Sequence, residues 1–555
     1  MMKPIALLVL AVAASACTSS RAPSTTPAPS SAVTAANLHR RMEIIAHDSM
    51  MGRETGSEGD FKTAAYIADE FRRMGLEPAG ENGTYFQTVP FWTVAVDPTS
   101  TLTANGTTLS LGRDFIPAST AAMPRTLAGV RAIYGGPAAD SSNWIPAADV
   151  TGKVIVLDVA DGRGTRSLAI GSGRWRGAVA IAVVVLESVG PEVVARLRDG
   201  RPVNDTTRNP NVVPTLWITR SAARAMLAGD PAGMRPGTEG ATLTGHFDFS
   251  RAPVRFPARN VIGILRGSDP VLRNEYVSLT AHNDHVGFDH LPVDHDSLRA
   301  FDRVIRPMGA DSPVRPPSQA EWKSIRSILD SLRKVNRPRL DSIRNGADDD
   351  GSGTVSILEI AAVMSRGAHP KRSILFVSHT AEEAGLLGSR WYTSHSTVPV
   401  DSIVGEIDQD MVGRGTASDF PRNGGTLAAT PTYLEVVGAK RLSREFGDSL
   451  EAANAREPLP FVFDYTFDAP SHPLQYYCRA DHYNYARYGI PAVAFSRSEH
   501  LDYHQVTDEA QYISYPDLAR VSRMVYSAAL VLGNMPSRPK LDAPKQTNPN
   551  TPCRQ

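Results

Sequence analysis

Two glutamates, Glu382 and Glu383, stand side by side where an apolar run ends, in "SILFVSHTAEEAGLLGSRW". Adjacent like charges repel, so something is expected to hold at least one of them. The same pattern of donor groups at the end of an apolar run recurs. "YVSLTA" runs into His282, Asn283, Asp284 and His285, "SIVGEI" into Asp408, Gln409 and Asp410, and "GIPAVAFSR" is soon followed by "LDYHQVTD" with His504. "NGADDDGSGTVSILEIAA" sets Asp348, Asp349 and Asp350 in a glycine-bounded turn ahead of a helical pattern. Singly, each has an ordinary reading: an Asp before a helix caps it, and a loop His is solvated. Together, carboxylates and histidines at the ends of neighbouring strands make the mixed oxygen and nitrogen donor set that suits zinc and related divalent ions.

Such groups converge only if the strands lie in one sheet. Apolar segments at 277–281, 374–378, 403–407 and 490–496 alternate with helical stretches, the pattern of an α/β fold whose strand ends line a ligand crevice. Residues 35–78 read as helical, with Phe61, Ala64, Ala65, Ala68 and Phe71 on one face and Gly75 and Pro78 as terminators. Between 126 and 249 the texture changes to short strands with Gly and Asp turns, "GKVIVLDVADG", "GAVAIAVVVLE" and "VPTLWITRSAARAML", expected to form a separate inserted domain. A second insertion, 288–343, holds "SQAEWKSIRSILDSLRKV", where Ser318 and Glu321 fit a capping box and Trp322, Ile325, Ile328, Leu329 and Leu332 make an apolar face. A helix packed on the domain surface is the expected outcome, with a lid over the site as the alternative.

The 555 residues suffice for two or three domains, and 58 basic against 58 acidic side chains leave no electrostatic footprint for nucleic acid. Residues 1–16 read as a secretory signal, too short to span a membrane. Cys17 after small residues resembles a lipobox, with Ala14-Ser15-Ala16 as the competing ordinary cleavage site. The expectation is an exported, periplasmic protein, lipid-anchored at Cys17 to the outer membrane, with a soluble secreted form as the alternative. Residues 17–34 read as a flexible tether and 536–555 as a disordered tail. Cys478 and Cys553 could pair in an oxidising compartment, or Cys478 could stay free and buried.

In order, "HND" at 282, "GADDDGSG" at 346, "EEAGLLGS" at 382, "DMVG" at 410 and "YH" at 503 resemble the M28 family of zinc peptidases, as do "MMGRETGSEG" near 50 and "RADHYNYARYGIPA" at 479. The departures are the long insertion after the first motif and Asp348 where the family often has Asn. The resemblance implies a three-layer α/β/α peptidase domain with a mixed sheet of the phosphorylase/hydrolase-like kind, at 35–125 and 250–535. It also implies that the β-rich insert at 126–249 is a protease-associated domain.

The resemblance further implies two Zn2+ per chain, with Co2+ or Mn2+ as substitutes. His282 and Asp410 would bind one ion, Glu383 and His504 the other, and Asp349 would bridge them, while Asp284 supports His282 and Glu382 acts as the general base. His285, Asp481 and His482 are expected to support the pocket rather than ligate, and Asp348 and Asp350 to shape the turn. Arg414 and Arg479 are the site motifs' only candidate anchors for a substrate carboxylate. The implied function is an aminopeptidase acting on peptides. A carboxypeptidase or dipeptidase, a glutaminyl cyclase-like acyltransferase and an inactive receptor-like protein are the alternatives.

Overall fold

A computed structural model describes residues 33–159, 173–204, 208–313, 315–414, 432–542, 545 and 548–555. The signal sequence and Cys17 lie outside them, as does nearly all of the tether. No described helix is long and apolar enough to cross a membrane.

The organising element is a mixed nine-stranded sheet. Four of its strands run parallel and adjacent, Ser373–His379, Tyr276–His282, Ile403–Gln409 and Ala492–Ser496. Ala258–Leu265 flanks them antiparallel on one side and Tyr433–Val437 on the other. Strand alternation sends successive side chains to opposite faces. Leu279 and Phe376 join the core under helices Gly351–Met364 and Tyr515–Asn534, whereas Leu375 and Val377 pack with residues of Leu387–Ser394 and His482–Ala486. The result is three layers, α/β/α. All four parallel strands end at one edge, with His282 and His379 in register.

Residues 35–78 do not form one helix. Helix Ala35–Ile45 is separated from helix Glu58–Met74 by a tight turn, Asp48–Arg53. Gly52 sits there at φ 64°, so close to Gly287 that a β-carbon would meet the Gly287 carbonyl at 2.2 Å. The second helix buries Ala64, Ala68 and Phe71 with Ile67, while Phe61 turns outward to lie 3.8 Å from the Arg259 guanidinium carbon.

The β-rich insert is an eight-stranded sheet with its own apolar clusters. It begins earlier than 126: strand Thr101–Ala104 pairs with Glu239–Phe247 and turns through Asn105-Gly106 into Thr107–Leu109. Both turn residues have positive φ, the geometry that Asn-Gly favours in a two-residue hairpin. In the 288–343 insertion, strands Phe288–Asp294 and Leu340–Ile343 pair and bracket helices His295–Ile305 and Gln319–Leu332. The second helix carries the expected capping box. Ala300, Ile305 and Ile325 form a small core of their own.

The C-terminal residues are a correction to the expected disordered tail. Cys553 is disulfide-bonded to Cys478, and the Asp542 amide donates to Leu442. Composition showed no core-forming residues there, and a covalent link substitutes for a core.

Candidate metal centre

The strand-end edge brings the sequence-selected groups together. His282 is the last residue of its strand, Glu382 and Glu383 follow Ser373–His379, and Asp410 follows Ile403–Gln409. Asp349 lies in the turn before helix Gly351–Met364, capped by the Asp350 carboxylate accepting from the Gly353 amide at 2.9 Å. The same carboxylate accepts from the His282 amide at 3.1 Å, so one aspartate ties the turn to the strand.

Two donor groups result. His282, Asp349 and Asp410 each offer one atom within 4.8 Å of the others, and so do His285, Asp349, Glu383 and His504. Asp349 is common to both: its Oδ1 lies 3.2 Å from His282 Nε2 and its Oδ2 2.9 Å from His504 Nε2. His504 Nε2 is also 3.0 Å from Glu383 Oε2. Buried His282 Nε2, Asp410 Oδ1 and His504 Nε2 make no directed hydrogen bond, although carboxylate oxygens lie close to both ring nitrogens. Unpartnered buried donors and acceptors are costly, and this nitrogen and oxygen set is one that holds zinc. The residues present therefore fit divalent ions in both groups.

His285 departs from the expectation. It is fully buried, its Nδ1 is 2.8 Å from Glu383 Oε1 and 3.7 Å from Asp349 Oδ2, and it belongs geometrically to the second group. Asp284 stands beside His282 as expected, but the nearer partner of His282 Nδ1 is the Asp284 backbone carbonyl at 3.1 Å, with the carboxylate at 3.6 Å. That carboxylate is occupied otherwise, accepting from Thr55 Oγ1 at 2.8 Å and the Glu382 amide at 3.1 Å.

The paired glutamates separate electrostatically. Burial, then Asp410, Glu383 and Asp481, push the Glu382 carboxyl well above the ordinary carboxylate range despite the opposing pull of His282. Burial acts the same way on Glu383, yet His504 and His285 bring it below its usual value. Environments that drive two neighbouring carboxyls apart divide proton-transfer and ligand roles between them. Neither Asp481 nor His482 is in a donor group; the His482 amide donates to Asp408, and both side chains are buried.

Three supports escaped the sequence reading. Arg53 is buried and donates to the carbonyls of Asn283 (2.9 Å), Gly346 (2.8 Å), Asp349 (3.3 Å) and Asn345, joining the two loops that carry Asp284 and Asp349. Asp508 accepts from the amides of Asp348 (3.0 Å) and Asp349 (3.1 Å). The 288–343 insertion holds the His504 loop, since the Ala310 amide donates to the Tyr503 carbonyl at 3.0 Å and Arg479 pairs with Asp311 at 2.8 Å. An arginine after a glycine ahead of a cap motif was the trace of the first; Asp508 closes the "LDYHQVTD" stretch without a role read for it, and the insertion was linked to the site only as a lid. Arg53→Met should lower stability by on the order of 3–5 kcal/mol, because several buried carbonyls lose a charged donor together, measured by urea unfolding.

A cavity opens beside the donor groups, lined by Asp349, Glu382, Glu383, Asp410 and His504 and running along Tyr433–Val437. Residues 260–529 match the model of peptidase family M28. Leucine aminopeptidase 1 of Penicillium rubens is 30% identical over 200 residues, 34% of this chain and 48% of that protein. Leucine aminopeptidase 1 of Paracoccidioides brasiliensis is 30% identical over 188 residues, 32% and 44% respectively. The chain thus spans about half the length of the curated relatives it matches. An aminopeptidase from Aneurinibacillus sp. strain AM-1 shares the fold, with a TM-score of 0.50 and 17% identity over 93% of this chain and 97% of that one. The ordered motifs, the strand-end edge that gathers them and the match over 260–529 agree: this chain carries a peptidase family M28 domain.

Proposed function

We propose that the chain is a dinuclear zinc aminopeptidase releasing N-terminal residues from peptides. The observation that carries this reading is the pair of donor groups sharing Asp349, with Glu382 beside them at the cavity wall and outside both. His282, Asp349 and Asp410 would hold one ion, and Asp349, Glu383 and His504, with His285 adjacent, the other. When bound, divalent ions bring the pKa of water to about 7 and polarise the scissile carbonyl. Glu382 takes the proton of the attacking water and delivers it to the leaving amine. Asp284 fixes the ring of His282 through its carbonyl and holds the Glu382 backbone through its carboxylate.

End-specificity comes from what meets the terminal charge. Arg414 is buried and paired with Asp502 at 2.7 Å, and it does not line the cavity. Arg479 lines it but is paired with Asp311. The carboxylates around the donor groups suit a free amine instead. N-acetylation of a peptide should lower kcat/KM at least about tenfold, or roughly 1.4 kcal/mol. Release of C-terminal residues from acetylated peptides would establish the carboxypeptidase alternative.

We read the chain as exported and lipid-anchored at Cys17, and the β-rich insert as a protease-associated domain. The disulfide between Cys478 and Cys553 supports an oxidising compartment. Cys17→Ser should move the exported protein from the membrane to the soluble fraction, whereas wild-type protein found soluble and cleaved before Cys17 would contradict the anchor.

A further inference from the structure

We infer that the cavity beside the donor groups receives the side chain of the substrate's first residue, and that Glu435 at its buried wall selects a cationic one, lysine or arginine. This inference rests on the aminopeptidase reading and adds the substrate class.

Glu435 lies in strand Tyr433–Val437, opposite Ser496 of strand Ala492–Ser496, and both residues line the cavity. Its side chain is fully buried, and its Oε1 has no hydrogen-bond partner; Oε2 meets only the edge of hydrogen-bond range to the Tyr433 hydroxyl, at 3.5 Å. A buried carboxyl with an unmet acceptor is costly unless a donor arrives. Glu499, the other acid lining the cavity outside the metal-centre cluster, is already served by the Tyr476 hydroxyl, with Arg479 at 3.7 Å. Burial first, then the charges of Glu499 and Asp464, push the Glu435 carboxyl well above its ordinary range. The wall therefore holds an acid with an unmet acceptor, and an arriving cation supplies both the missing donor and the positive charge that returns the carboxyl to its ionised form. Met411, Val437 and Ala494 supply the apolar surface that the methylene stem of a long cationic side chain covers. A pocket built to bond a polar group discriminates strongly against the analogue that lacks it.

The test uses the zinc-loaded full chain and two substrates, lysine and norleucine 4-nitroanilides, which share a four-carbon side chain and differ by the terminal ammonium. Wild-type protein is expected to favour lysine over norleucine at least about tenfold in kcat/KM. Glu435→Gln and Glu435→Leu are expected to reduce that ratio at least about tenfold, with metal content checked to show that the centre is intact. Norleucine released as fast as lysine by the wild-type protein overturns the inference without touching the aminopeptidase reading. Release of neither, together with cleavage of acetylated peptides, overturns both. The wild-type ratio stands even if a variant fails to fold.

Discussion

Glu382→Gln is expected to keep its full metal content and lose about 10² to 10⁴ in turnover, the contribution of a positioned general base, or roughly 3–5 kcal/mol of barrier. The amide keeps the size and seat of the side chain, which is anchored by its backbone on Asp284, but cannot take a proton. Glu383→Ala should do the opposite at the first step, weakening metal retention, because Glu383 is within 3.0 Å of His504 and 2.8 Å of His285 in a donor group that excludes Glu382. Elemental analysis and single-turnover kinetics on both variants separate the roles. Exchanged phenotypes would invert the assignment of the pair.

The second large effect concerns stoichiometry. Among the described residues Asp349 is the only one in both donor groups, each of its oxygens facing a different histidine. Asp349→Ala should therefore deplete both ions. Asp410→Ala, which touches one group only, should reduce content from two equivalents to one. Activity should vanish on chelation and return in part with zinc, cobalt or manganese. A single equivalent in the wild-type protein, unaltered by Asp410→Ala, would remove the dinuclear reading.

The identity of the chemical groups and the order in which they occur were legible in the sequence, because a parallel strand puts whatever follows it at one edge of the sheet, and apolar runs mark such strands without further information. Clusters holding His282, Glu383 and Asp410 were found that way, Asp349 stood in a turn and His504 in a loop, and the resemblance to the M28 family singled out these five, which lie together. What the sequence left open concerned direction and support. Periodicity cannot show that Arg53 leaves a helical stretch to bond carbonyls some 230–290 residues away along the chain, nor that Asp508 rather than a nearer residue holds the Asp349 amide. His285 was expected to support the pocket rather than ligate, yet its Nδ1 lies 2.8 Å from Glu383 Oε1. The strand Tyr433–Val437 went unread because a glutamate interrupts its apolar run, and only its pairing with Ala492–Ser496 puts that glutamate in the cavity wall. Local sequence determines which groups are available and where strands end. Long-range packing decides which of their atoms are satisfied and which remain open to a ligand, since that depends on neighbours hundreds of residues away.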